Sequence, residues 1–141
     1  MRKLFKFIFV FIFIILFSGC MKNYKKLSYT EYNEYFNNKN GYIILDHSSD
    51  YGVDIIRNLE AGNGKIQVIY MEFSDEKTAK KYIDLTYDNY KIKEKDNYTI
   101  IKSNKGKYFR LYRVENVIVY AQSEDKSNKK EIKSILKDLG F

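Results

Sequence analysis

The chain has 141 residues, and its 25 basic and 18 acidic side chains give a formal net charge of +7 at pH 7. This length supports one domain with its own hydrophobic core and leaves no room for a second. A single cysteine excludes both a disulfide framework and a thiolate metal site. The net charge is modest and the sequence has no nucleic-acid recognition motif, so we expect no nucleic-acid partner. The sequence also has no phosphate-binding glycine loop and no nicotinamide fingerprint, so we expect no cofactor.

The first residues of the chain have the layout of an export signal. Arg2, Lys3 and Lys6 come before an unbroken apolar run over residues 7–17, and small residues follow. As a helix the run is about 16 Å long, roughly half the thickness of a bilayer core, so it is too short for a stable membrane span. We therefore predict a signal peptide over residues 1–19.

The end of this segment, LFSGC, resembles the lipobox of bacterial lipoproteins, in which a small pair precedes the cysteine that is lipidated and becomes the mature N-terminus. Phe17 occupies the position where the family usually has leucine. The resemblance implies a diacylglyceryl thioether on Cys20, whose two fatty chains would anchor the protein at the extracytoplasmic face of the cell membrane. Residues 20–27 would then form a lipidated tether, followed by a single domain over residues 28–141.

A capping box marks the start of the first predicted helix. Ser28 is followed three residues later by Glu31, the pattern in which each side chain bonds the backbone of the other residue. The predicted helix covers residues 29–38, and Asn40-Gly41 ends it.

Three strands are predicted between the first helix and the second. The Asn63-Gly64 pair favours a tight hairpin turn between two of them. The apolar residues 53, 55, 59 and 61 fit the period of two of a strand, residues 53, 56 and 59 also fit a helix, and the hairpin signal decides in favour of a strand. The three predicted strands cover residues 42–45, 53–61 and 65–73.

The second half repeats the order of helix and strands. Ser74 and the acids after it predict the start of a second helix, whose apolar positions continue at helical spacing to Tyr90. A charged connection over residues 91–97 leads to an antiparallel meander, and a closing helix begins at Ser127 or Asn128. The three strands of the meander are predicted over residues 98–103, 108–114 and 117–123.

These elements predict an α+β fold with an antiparallel sheet of about six strands and three helices, in the order α-βββ-α-βββ-α. The helices are expected on one face of the sheet. The lipobox, the run IQVIYMEFSDEKTAKKY and the closing IKSILKDLGF together resemble small uncharacterised lipoproteins of Gram-positive bacteria. This resemblance implies a class of protein and no activity.

His47, the only histidine, lies in the segment DHSSD between two carboxylates, Asp46 and Asp50. A histidine beside a carboxylate suggests acid–base chemistry of the hydrolase type. The alternative is a polar turn that ends a strand, because neighbours in sequence point in different directions. A metal site that adds Asp54 to these residues has suitable ligand types but no recognised spacing. We therefore predict neither a catalytic residue nor a metal site.

The strand over residues 108–114 alternates two kinds of side chain. Phe109 and Leu111 are expected to point to the core, which places the intervening residues on a solvent-facing strip. Tyrosine rings with adjacent guanidinium groups stack on and pair with anionic or planar ligands. A plain solvated sheet face is the alternative. The candidate ligand-binding residues are Tyr108, Arg110, Tyr112 and Lys102.

We therefore expect a lipid-anchored extracytoplasmic protein whose domain is a non-catalytic binding or interaction module at the cell envelope. The expected partners are the membrane, through the anchor, and an anionic envelope polymer or an envelope protein, through the strip. The alternative is a small hydrolase-type enzyme that uses His47 with a neighbouring carboxylate.

Overall fold

The computed structural model describes residues 23–95, 97–103 and 106–141, so the predicted signal peptide and Cys20 lie outside the described residues. Within them the chain forms three α-helices and seven strands. The helices are α1 (Tyr29–Asn37), α2 (Glu76–Thr86) and α3 (Lys129–Asp138). The strands are β1 (Ile43–Asp46), β2 (Ile55–Gly62), β3 (Gln67–Phe73), β4 (Ile92–Lys95), β5 (Tyr98–Ser103), β6 (Tyr108–Val114) and β7 (Val117–Ser123).

The strands form one antiparallel sheet in the order β1-β2-β3-β7-β6-β5-β4. The predicted hairpin between β2 and β3 is confirmed, and Gly64 has the positive φ of +81° that its turn requires. After α2 the chain reaches the far edge of the sheet and returns through β5, β6 and β7, so that β7 pairs with β3 at the centre. The predicted α+β class and antiparallel sheet are therefore confirmed.

The sheet has one strand more than the expected six. The predicted charged connection is wrong over its middle part, because Ile92–Lys95 forms β4 and pairs with β5. Ile92 is half-buried against the sheet, whereas Lys93, Glu94 and Lys95 are exposed. Charged side chains are common on edge strands because they discourage pairing with other chains, so this strand resembles a linker in sequence.

The helices cover both faces of the sheet. On one face, hereafter the α1/α3 face, buried residues of α1 and α3 surround Tyr70 and Val119. On the opposite α2 face, Ala79 and Ile83 pack with Leu111. The expectation that all helices lie on one face is wrong, because the central strands carry apolar side chains on both sides and each side needs cover.

The described part of the predicted tether packs against the domain. The Tyr24 ring centroid lies 5.0 Å from that of Tyr98, 5.4 Å from that of Tyr112 and 6.2 Å from that of Phe141. Leu27 is buried in the same cluster. The chain is therefore docked on the α1/α3 face from Tyr24 onward.

The C-terminus is docked beside it. Gly140 has a φ of +96°, and the Phe141 N–H donates a hydrogen bond of 2.7 Å to the Leu136 carbonyl. A glycine in this conformation, followed by a hydrogen bond back to the helix, is a common left-handed end of a helix. The Phe141 ring stacks on Tyr112 with centroids 5.0 Å apart, so the last residue helps to cover the sheet.

Candidate functional site

The predicted strip of Tyr108, Arg110 and Tyr112 lies on the α1/α3 face, and the prediction that it faces solvent is wrong. Tyr108 is 2% exposed and Tyr112 is 4% exposed, because α3 and Phe141 cover them. Alternation along β6 correctly groups the three residues on one side. It does not reveal that a helix covers that side.

Arg110 is the part of the strip that retains exposure. Its guanidinium donates to the hydroxyls of Tyr108 and Tyr112 and is half-buried. Lys102 is exposed and pairs with Arg110 across β5 and β6, and the Lys129 ammonium lies 5.7 Å from the Tyr108 ring centroid. Lys102, Arg110 and Lys129 thus form a cationic patch, and the binding of an anionic partner there stays a prediction.

A cavity of about 270 Å³ lies on the α2 face. It is bounded by β2, β3 and β7, by α2, and by the segment that follows β1. Ile69 and Met71 supply its apolar wall. Its polar and aromatic lining residues are His47, Asp50, Tyr51, Asn58, Glu60, Tyr82 and Tyr120.

Hydrogen bonds to β2 position the His47 segment. The Ser48 hydroxyl donates to Asp46 Oδ1 at 2.5 Å and accepts from the Asn58 N–H at 3.0 Å. The His47 N–H donates to the Asn58 carbonyl at 2.8 Å, and a short 3₁₀ turn over Ser48–Asp50 follows. The predicted polar turn is therefore present, and it is fixed to the neighbouring strand so that His47 reaches the cavity.

The two ring nitrogens of His47 both face carboxylates. Nδ1 lies 3.3 Å from Asp50 Oδ2, and Nε2 lies 3.9 Å from Glu60 Oε2. Among the described residues no hydroxyl is hydrogen-bonded to this imidazole, and the Ser48 hydroxyl is engaged by Asp46. The site therefore has a histidine and acids, but it lacks the nucleophile that a serine-hydrolase arrangement needs.

Sequence reasoning identified His47 and Asp50 but missed Glu60. The signal was present in β2, where Asn58 and Glu60 alternate with the core residues Leu59 and Ala61. This alternation places Asn58 and Glu60 on one side of the strand. Only the pairing of β1 with β2 brings that side next to His47.

Three tyrosines from distant parts of the chain, Tyr51, Tyr82 and Tyr120, line the cavity together with the carboxylates. Burial raises the pKa of Tyr120, and the nearby Tyr82, Glu60 and Tyr51 raise it further. Burial, followed by the nearby Tyr51, also raises the pKa of Tyr82. Both hydroxyls therefore stay protonated at neutral pH and remain hydrogen-bond donors. No local pattern in the sequence predicts this cluster, because its members come from a turn, a helix and a strand.

Asn58 presents an amide to the cavity. The residue is only 6% exposed, and its backbone groups bond the His47 segment. Its side chain lines the cavity and makes no hydrogen bond to any residue that the structure describes. The amide atoms are not among the fully buried atoms that lack a partner in the described part of the chain, so they open onto the cavity and are available to a polar ligand or water.

A wider groove of about 670 Å³ lies between α1, the end of α3 and residues 25–27. Its lining mixes lysines with acids, and Lys25 is paired with Glu31 at 3.0 Å. Because its charges are mixed and partly paired with each other, this groove is a weaker candidate than the cavity on the α2 face.

Within residues 23–95, 97–103 and 106–141, no group of three or more His, Cys, Asp or Glu side chains is arranged to hold a metal ion. None of the helices in that part of the chain combines the length and apolar character needed to cross a membrane. No protein-family model matches the chain, and neither the curated proteins nor the solved structures give a match. The resemblance to small lipoproteins therefore stays a prediction.

Proposed function

We propose that the chain is a lipid-anchored protein of the extracytoplasmic face of the cell membrane and that its domain is a non-catalytic binding module. The lipobox-like segment that ends at Cys20 supports the anchor. The cavity on the α2 face supports the binding role, because it gathers hydrogen-bonding groups and tyrosine rings around one concave space. The unbonded amide of Asn58 in that space is the observation that carries the proposal.

Binding is favoured over hydrolysis by the surroundings of His47. A hydrolase that uses a serine nucleophile needs the hydroxyl at one ring nitrogen and the carboxylate at the other. Here both nitrogens face carboxylates, at 3.3 and 3.9 Å. The arrangement can hold a charged or polar ligand without a covalent step.

The anchor is tested on the full chain produced in a bacterium that processes lipoproteins. Intact mass spectrometry is expected to find a mature protein that begins at a diacylglyceryl-modified Cys20 and sediments with membranes. The matched variant Cys20→Ser is expected to lose both the modification and the sedimentation. An unprocessed Met1, or a soluble protein with a free thiol at Cys20, contradicts this part of the proposal.

The cavity is tested by nuclear magnetic resonance on the isotope-labelled full chain in non-ionic detergent. Mixtures of small neutral, anionic and cationic compounds are added, and we expect saturable shifts of amides around Tyr82 and Tyr120. The variant Ile69→Phe places a larger ring in the cavity and is expected to abolish these shifts. Shifts confined to other surfaces contradict the cavity as the binding site.

The cationic patch gives a second candidate partner, an anionic envelope polymer. The partly exposed Arg110 beside Lys102 favours it. Arg110→Ala is expected to weaken polymer binding about fivefold at low salt, since a basic residue near an anionic surface contributes about 1 kcal/mol. Lys81→Ala, on the exposed side of α2, is the control with the same change in charge. If polymer binding is insensitive to salt, or equally strong in the two variants, the cationic patch is not the polymer-binding site.

A further inference from the structure

The cavity on the α2 face is acidic although the chain carries a net charge of +7. Asp50 and Glu60 supply two carboxylates, and as far as the structure describes the chain, the lining contains no lysine or arginine. His47 lies between the two carboxylates. The Glu60 side chain is 26% exposed and that of Asp50 is 63% exposed, so water screens Glu60 less than Asp50. Electrostatic attraction is stronger in a partly enclosed site than in bulk water, so this site favours a cation over an anion.

The aromatic residues that line the cavity also favour a cation over an anion. Tyr51, Tyr82 and Tyr120 border the cavity, and the faces of tyrosine rings attract ammonium groups. Their hydroxyl oxygens also accept hydrogen bonds from N–H donors. Ile69 and Met71 offer an apolar surface to the hydrocarbon part of a ligand.

The volume of the cavity and the Asn58 amide restrict the class of ligand further. A volume of about 270 Å³ is slightly below the roughly 300 Å³ at which pockets for drug-sized molecules begin, so the ligand is small. Asn58, which is 6% exposed and makes no side-chain hydrogen bond within the described residues, offers a carbonyl oxygen to a donor. A ligand with several N–H donors satisfies both this oxygen and the carboxylates.

We propose that this cavity binds a small organic cation that carries a protonated amine. The ammonium group lies between Glu60, Asp50 and the tyrosine rings, and the carbon chain lies against Ile69. This inference names the ligand class of the cavity and rests on the binding role proposed above.

The test compares four probes on the full chain in non-ionic detergent at constant ionic strength. The probes are butylammonium, 1-butanol, butyrate and N-acetylglucosamine, and amide shifts report where each one binds. Butylammonium is expected to saturate the shifts around Tyr82 and Tyr120 and to bind about tenfold more tightly than butanol, because only the cation gains charge-assisted hydrogen bonds. Butyrate is expected to bind more weakly than butanol.

Glu60→Gln is the decisive variant because it keeps the shape of the side chain and removes its charge. It is expected to lower the affinity for butylammonium about tenfold and the affinity for butanol by less than about twofold. Glu34→Gln is the matched control, since it removes an exposed carboxylate from α1 on the other side of the sheet. If Glu60→Gln and Glu34→Gln bind butylammonium with equal affinity, the inference is overturned.

The outcomes separate this inference from the function on which it rests. If N-acetylglucosamine or butyrate saturates the cavity shifts and butylammonium does not, the cavity is a binding site and the cationic ligand class is wrong. If none of the four probes shifts the cavity amides, the binding role of the cavity fails together with the ligand class.

Discussion

At the scale of single residues, Arg113 is a cation with no exposed side-chain surface. It donates to the Thr99 hydroxyl at 2.9 Å, to Glu76 Oε1 at 3.0 Å and to the Glu115 carbonyl at 3.0 Å. Its Nη2 has no partner among the residues that the structure describes. Glu76, in the first turn of α2, is therefore the carboxylate that compensates this buried charge.

Removing Glu76 is expected to cost more stability than removing Arg113. Glu76→Ala leaves the buried guanidinium without its counter-ion and is expected to lower the free energy of unfolding by about 2 kcal/mol. This value is below the cost of breaking a fully buried ion pair because Glu76 is partly exposed to solvent. Arg113→Met replaces the charge with an apolar chain and is expected to cost less than about 1 kcal/mol. Urea denaturation of both variants and of the double variant measures the difference. A larger loss for Arg113→Met contradicts the assignment.

Glu31 makes the stability of α1 depend on pH. The Ser28 backbone and hydroxyl donate to its carboxylate, and these bonds together with Lys25 lower the pKa of Glu31 to about 2. Because the folded pKa is below the ordinary value of 4.5, the stabilisation is complete above that value and is lost as the pH falls toward 2.

Glu31→Gln is expected to lower the free energy of unfolding at pH 7 by about 0.5–1 kcal/mol, a small value because the carboxylate is largely exposed. The difference from the wild type should shrink steadily as the pH falls from 4.5 toward 2, where the Glu31 carboxylate becomes protonated. Thermal unfolding between pH 2 and pH 7 measures it, with Glu34→Gln as the control on the same helix. A constant difference across this range contradicts the role of the charge.

At the scale of elements, the two edges of the sheet differ. β4 carries exposed charges, whereas β1 exposes Ile43 at 69% and Leu45 at 50%. An apolar edge strand can pair with another chain. Ile43→Lys is therefore expected to reduce self-association of the concentrated protein and to change the free energy of unfolding by less than about 0.5 kcal/mol.

Light scattering against protein concentration measures this effect. The reciprocal variant Lys93→Ile, which removes a charge from the β4 edge, is the control and is expected to increase association. If Ile43→Lys leaves the scattering of the wild type unchanged, β1 does not mediate association.

The elements themselves follow closely from local sequence. The predicted strands over residues 98–103, 108–114 and 117–123 coincide with β5, β6 and β7, because apolar alternation and short turns are local features. The second helix ends at Thr86, before Tyr90, and its N-cap is Asp75 in place of the expected Ser74. Helix ends depend on single hydrogen bonds that spacing alone does not specify.

At the scale of the whole molecule, the sequence does not reveal which element covers which face. Tyr108 and Tyr112 share a side of β6 with Arg110, but the covering helix α3 begins after the next strand. The cavity also depends on the three-dimensional arrangement of elements. The sheet order and the placement of α2 bring Glu60, Tyr82 and Tyr120 close to His47. Single-sequence periodicity carries no information about such contacts.

The sheet order also predicts where the fold is most resistant to opening. β3, β7 and β6 are paired on both sides and covered on both faces, whereas β1 and β4 are at the edges. Amides of the central strands are expected to exchange with solvent only on global unfolding, and those of the edge strands at least about a hundredfold faster. Hydrogen exchange measures these rates, and equal protection of β1 and β7 contradicts the expectation.

If the chain is anchored at Cys20 as proposed, the docking of Tyr24 limits how far the domain can move from the bilayer. With Cys20 lipidated as proposed, four residues join the anchor to a ring held among Tyr98, Tyr112 and Phe141, a span of about 14 Å at most. A domain anchored in this way would stay within reach of the lipid headgroups. Any molecule that it captured would then have to diffuse to the membrane surface first.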